Sequence, residues 1–255
     1  MTFPSAKDPV QLTLQDQVAT LTINRPQAQN ALTPRMVDTL LLMLKALEAD
    51  SEIKVLIVEG AGDSFCAGED FGEVGASGDP IRIRQFREAT VRLMRAIQSY
   101  QKIVITKIRG AAHGPGLDLV LGSDFALAAP DATFSASLLK DGAAPWTSMV
   151  ALSRSLSSKH AIRMLLSPAP ASANEALSMG IISEIVPSSE LDAGASRLAE
   201  QLVAAAPGDL QFAVQAFRRQ LGMPVDEAYA FAVEASLKSS PEEERLQFAG
   251  REIHA

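Results

Sequence analysis

The sequence predicts an α/β fold followed by a helical C-terminal region. Three observations predict it. Short apolar, β-branched runs at 18–23, 55–59 and 103–108 have strand length and alternate with segments of helical spacing. Gly-rich turns follow two of those runs, at 60–68 and 110–116. From about residue 190 the strand signals stop and only helical segments remain. The expected organisation is therefore an α/β core over 1–190 and a helical region over 191–255.

Taken in order, 10–14 and 18–23 read as a hairpin across Gln15-Asp16-Gln17. Asn24-Arg25-Pro26 stops the second strand, because proline cannot donate to a ladder. Thr33-Pro34 is a helix start, with Thr33 as N-cap, and Met36, Val37, Leu40, Leu41, Leu44 and Leu47 carry the apolar stripe to about Ala49. The strand at 55–59 follows. Residues 72–79 are rich in small side chains and read as a mobile loop. Pro80 opens a helix to about Ser99, whose arginines 82, 84, 87, 92 and 95 read mainly as a solvated face, the alternative being contact with ligand phosphates.

The strand at 103–108 leads through Gly114-Pro115-Gly116 into a short helix at about 117–121, ended by Gly122. Strands at 125–129 and 133–135 come next, then an irregular stretch and helices at 148–155 and 157–166. Ser172 and Glu175 form a capping box, and 181–186 is a last short strand. Four helices are expected beyond it, at about 189–206, 209–221, 225–239 and 241–254.

Composition narrows the function. The chain has 255 residues, 47% hydrophobic and 21% charged, with a formal net charge of −7. That balance is that of a globular protein and argues against a nucleic-acid surface. No apolar run approaches the ~18 residues that span a bilayer, and no membrane association is expected. The lone Cys66 allows no internal disulfide and, without a histidine near it in sequence, reads as a small turn residue. The N-terminus carries no basic-then-apolar signal, so the expected location is cytoplasmic. His113, His160 and His254 lack metal-like spacing, and no metal or cofactor is expected. Neither glycine cluster completes a dinucleotide fingerprint: Phe65 and Leu119 stand where the third glycine belongs.

A strand that passes through Gly-Pro-Gly into a helix presents free N–H groups at a helix N-terminus, a ready place for an anionic oxygen. Asp118 lies within the first turn. A second turn, Phe65-Cys66-Ala67-Gly68-Glu69-Asp70, follows the strand at 55–59. With Asn24-Arg25-Pro26, Asn30-Ala31-Leu32, Ser123-Asp124-Phe125-Ala126-Leu127-Ala128 and the 171–186 element, these motifs come in the order found in the crotonase (enoyl-CoA hydratase/isomerase) superfamily. Nearly the whole chain resembles that family. The resemblance implies a crotonase-like ββα spiral core with a C-terminal helical oligomerisation region. It also implies an acyl-CoA thioester substrate and a homotrimer or homohexamer.

What the resemblance implies for the site can be carried over residue by residue. Two backbone N–H donors hold the thioester oxygen as it becomes an enolate, an interaction worth about 3–4 kcal/mol per donor. The first position falls on Glu69. The second falls on Pro115, which has no N–H. Either the hole is one donor short, or the loop shifts and Gly114 or Gly116 donates, which is the expectation. The helix carboxylate falls on Asp118, the favoured proton carrier, with Glu69 and Asp141 as alternatives. The second hydratase carboxylate falls on Leu138 and a further acid position on Trp146; neither side chain can move a proton. A single carboxylate tilts the chemistry toward isomerisation. Backbone at Ala31, Ala67, Gly68 and Asp70 is expected to bind the coenzyme A portion, and Phe71 and Trp146 to shape the acyl pocket. The substitutions at 115, 138 and 146 also leave open an impaired acyl-CoA-binding homologue or assembly partner.

Overall fold

The computed structural model describes residues 8–70, 72, 79–136, 147–205 and 207–239. The helix expected at 241–254, the loop at 73–78 and the site residues Phe71, Leu138, Asp141 and Trp146 lie outside them. By its contacts the chain divides into two compact units, meeting at Val203 and Ala204.

The first unit is built on a six-stranded sheet in the order β1-β2-β3-β4-β6-β9. Strands β1 (Val10–Gln15) and β2 (Val18–Ile23) form the antiparallel hairpin. From β2 onward β3 (Val55–Gly60), β4 (Ile103–Ile108), β6 (Phe125–Ala128) and β9 (Glu184–Ile185) pair in parallel. Strands of such a sheet are covered on both faces, which is why β3 and β4 read as continuous apolar runs. A second sheet of β5 (Ala111–His113), β7 (Thr133–Ser135) and β8 (Ala171–Ser172) stands beside the site. Its first strand was not legible in the sequence, because three residues beside a glycine turn carry no periodicity.

Helix α1 (Pro34–Ala49) starts where its cap places it: Met36 N donates to Thr33 Oγ1 at 3.3 Å. Helix α2 (Pro80–Gln98) turns Phe86, Ala89, Thr90, Leu93, Met94 and Ile97 inward and leaves all five of its arginines exposed. Helix α3 (Pro115–Gly122) packs against α2 and against α4 (Ser148–Ser155). Helices α5 (Ser158–Leu166) and α6 (Ala173–Met179) follow, the latter with both halves of its capping box formed. The strand expected at 181–186 shortens to two residues.

Helix α7 (Leu191–Ala204) belongs with the α/β unit, one helix past the expected boundary at 190. Leu191, Ala195 and Ala199 are buried, and Asp192 accepts from Lys107 Nζ at 2.6 Å and from Arg109 Nη2 at 3.1 Å. The second unit contains α8 (Pro207–Gln220) and α9 (Val225–Ser239), which pack on one another, with the Arg219 guanidinium 5.0 Å from the Phe231 ring centroid. Phe217, Val225, Tyr229 and Val233 of this unit remain exposed. Among the described residues no helix is long and apolar enough to cross a membrane.

Candidate active site

The segment 66–70 is stitched into the fold from two sides. Cys66 N donates to Ala111 O at 2.8 Å and His113 N to Cys66 O at 2.9 Å, which joins the segment to β5. Leu32 N donates to Gly68 O at 2.7 Å and Asp70 N to Leu32 O at 2.9 Å, which joins it to the Asn30-Ala31-Leu32 turn. Ala67 N donates to Gln29 O at 3.0 Å. In an extended segment successive amides point to opposite sides, so Glu69, between two residues bonded to Leu32, turns its N–H away from Leu32. Among the described residues no backbone hydrogen bond uses it.

The Gly114-Pro115-Gly116 bend meets this segment directly. A Cβ on Gly68 would lie 3.5 Å from His113 O and 3.9 Å from Pro115 Cδ, and a Cβ on Gly116 would lie 2.3 Å from Cys66 O. Gly114 is the N-cap of α3 with φ +50°, a conformation that favours glycine. Pro115 takes the first helical position, where a missing N–H costs nothing to the helix. The helix therefore begins two residues earlier than the spacing predicts. Gly114 N–H is already committed, donating to Ser135 O at 2.7 Å, and Asp118 N–H donates to Gly114 O at 3.0 Å. Of the alternatives to Pro115, Gly116 is the one whose N–H makes no backbone hydrogen bond among the described residues.

Asp118 is 2% exposed, on the first turn of α3. Its Oδ2 accepts from Ser148 Oγ at 2.8 Å, while Oδ1 is buried with no partner among the described residues. Burial pushes its carboxyl up from 3.8 to about 7; the Ser148 hydrogen bond opposes that rise and the nearby Glu69 charge adds to it. Burial also raises the Glu69 carboxyl, against the opposing pull of the Arg87 charge and a hydrogen bond from Thr90. Two carboxyls from separate turns thus share one environment, and a perturbed acid of this kind in a packed site is a candidate functional group.

The other expected residues fall around this pair. Asp70 is clamped by Arg25, whose Nη1 lies 2.9 Å from Asp70 Oδ2 and 3.0 Å from Ala31 O. The backbone at Ala31, Ala67, Gly68 and Asp70, expected to bind the coenzyme A portion, is thereby brought into one turn cluster with Glu69 and Gly114. Cys66 is fully buried, and burial pushes its thiol up to about 12, which fits a packing role. Among the described residues no three His, Cys, Asp or Glu side chains converge as a metal site.

Three residues of the cluster gave little or no warning in the sequence. Thr90 left a signal: a hydroxyl inside the apolar stripe of α2, four residues after Phe86. Arg87 was one basic residue among five. Ser148 gave no local signal, because it lies thirty positions from Asp118 and only the tertiary packing of α4 on α3 joins them.

Comparison with known proteins decides the family. Residues 13–252 match the family model for enoyl-CoA hydratase/isomerase. The chain belongs to the enoyl-CoA hydratase/isomerase family. Among curated relatives, the short-chain-enoyl-CoA hydratase of Clostridium acetobutylicum is 31% identical over 221 residues, covering 86% of this chain and 84% of that protein. The (E)-benzylidenesuccinyl-CoA hydratase of Thauera aromatica is 31% identical over 226 residues, covering 88% of each. A solved enoyl-CoA hydratase from Mycobacterium smegmatis superposes with a TM-score of 0.89 at 28% identity, over 97% of this chain and 96% of that one. The fold is accordingly the crotonase fold, and the chain is an acyl-CoA enzyme of this lyase and isomerase family.

Proposed function

We propose that this enzyme moves a proton between carbons of an enoyl-CoA thioester, with Asp118 as the proton carrier. The Asp118 carboxylate takes a proton from the α- or γ-carbon, and the released electron pair runs into the thioester as an enolate. The N–H groups of Glu69 and Gly116 hold the enolate oxygen. The proton then returns to the other carbon, and the double bond has migrated with nothing gained or lost. Ala31, Ala67, Gly68 and Asp70 hold the coenzyme A portion. The carboxylate that a hydratase would place at the Leu138 position is missing, which favours isomerisation over simple hydration.

The observation that carries this reading is the buried Asp118 with one oxygen tethered and the other unpartnered among the described residues, its carboxyl raised to about 7. A general base works best near the operating pH. The exposed apolar side chains of α8 and α9 support assembly into a homotrimer or homohexamer.

The test is to incubate a β,γ-enoyl-CoA with the enzyme in deuterated water and follow the products by proton NMR. Migration of the double bond with deuterium at the α- or γ-carbon is expected. An enzyme that leaves the β,γ-enoyl-CoA unchanged while adding water to the α,β-enoyl-CoA would contradict the isomerase reading and match the activity named for the hydratase relatives. A second reading, a binding homologue with impaired catalysis, is motivated by Pro115 at the second donor position. Calorimetric binding of acyl-CoA without turnover on any enoyl-CoA would favour it.

A further inference from the structure

We propose that Ser148 is the positioning residue of this reaction: its hydroxyl holds Oδ2 of Asp118 so that the mobile proton is taken up and released at Oδ1. The inference rests on the reading of Asp118 as proton carrier and assigns the division of labour between its two oxygens.

Ser148 is the first residue of α4 and is 2% exposed, as is Asp118. Its Oγ lies 2.8 Å from Asp118 Oδ2 and makes no other hydrogen bond among the described residues. A buried hydroxyl proton needs an acceptor, and here that acceptor is Oδ2. This holds in both protonation states. When Asp118 is ionised, the serine donates to one of two equivalent oxygens and makes them inequivalent. When Asp118 is protonated, Oδ2 keeps its role as acceptor only if the acidic proton sits on Oδ1. Oδ1 is the oxygen with no partner among the described residues. The serine thus fixes the carboxyl plane and leaves one oxygen to exchange a proton with substrate.

The hydrogen bond also does different work in the two states. It favours the ionised form, because a hydroxyl donates more strongly to a charged oxygen than to a neutral carbonyl. It therefore sets where the carboxyl titrates against the opposing push of burial. A serine that merely filled space would do neither.

The experiment compares the wild type with Ser148→Ala, Ser148→Cys, Ser148→Thr, Asp118→Asn and the Asp118→Asn/Ser148→Ala double variant. Solvent-hydrogen exchange into the enoyl-CoA is measured across pH, together with the melting temperature of each protein. Ser148→Ala should lower kcat about tenfold with KM within about twofold, and move the pH midpoint of exchange up by about one unit, the effects of losing one hydrogen bond to a charged group. Ser148→Cys, similar in size but a poor donor, should behave the same way and replaces the alanine variant in the comparison if that variant does not fold. Ser148→Thr should return the midpoint to that of the wild type, and the double variant should be no slower than Asp118→Asn alone. If Ser148→Ala or Ser148→Cys lowers the melting temperature yet keeps the wild-type midpoint, the serine is structural and the inference is overturned. Full exchange activity in Asp118→Asn would overturn this inference together with the proton-carrier reading. An inactive Asp118→Asn beside an unmoved Ser148 midpoint would overturn this inference alone.

Discussion

Replacing Asp118 by asparagine should make the protein more stable at alkaline pH while removing its activity. The fold holds this carboxyl almost fully out of water, with one oxygen on Ser148 and the other without a partner among the described residues. Its folded-state value is about 7 against 3.8 when exposed. Between those values the native state binds a proton that the unfolded chain has released, so stability falls as pH rises through the window from about 4 to about 7. At 1.36 kcal/mol per pH unit the full loss is at most ~4 kcal/mol above the window. Asparagine approximates the protonated acid and has nothing to ionise. The two proteins should therefore match near pH 4, and Asp118→Asn should gain up to ~4 kcal/mol at pH 8. Denaturant unfolding at fixed protein concentration, at pH 4.5 and pH 8, measures the difference. If both proteins lose stability in parallel with pH, or if the asparagine variant is the weaker at pH 8, then Asp118 is not held in the environment described.

The same titration should appear in function, as an ascending limb of kcat/KM with a midpoint near 7 in the free enzyme. Gly116→Ala places a Cβ 2.3 Å from Cys66 O and must part the two turns; kcat should fall at least about a hundredfold, and wild-type kinetics would show that their close approach is not needed. Pro115→Gly restores an N–H at the second donor position. With Gly116 as the donor, its kcat should stay within severalfold of wild type, whereas a rise of about a hundredfold would show a hole that lacked one donor. Arg25→Ala releases Asp70 and Ala31 O from a partly exposed clamp. Calorimetry with an acyl-CoA should show weaker binding by about fivefold, in line with ~1 kcal/mol for such a pair, and unchanged affinity would remove this turn from the binding surface.

Much of the fold was legible because its signals are local. Thr33-Pro34 and the Ser172 capping box set helix starts through contacts three residues long, and β3 and β4 announce burial by being apolar on both faces. The site was legible only as far as its turns. Glu69, Gly114, Gly116 and Asp118 could be placed from motif order, and the missing N–H of Pro115 follows from covalent structure. Which neighbouring glycine remains free did not follow from the sequence. That depends on Ser135 O, on the neighbouring strand of the small sheet, reaching Gly114 N, a tertiary fact. The grouping of Ser148, Thr90 and Arg87 around the carboxyls is of the same kind, since Ser148 arrives on α4 and the other two on α2.

A crystal structure with a non-reactive acyl-CoA thioester bound tests the central claim most directly. The thioester oxygen should lie within about 3.2 Å of both Glu69 N and Gly116 N, and Asp118 Oδ1 in van der Waals reach of the α- or γ-carbon. A thioester oxygen facing neither amide, or an acyl chain lying away from Asp118, would contradict it.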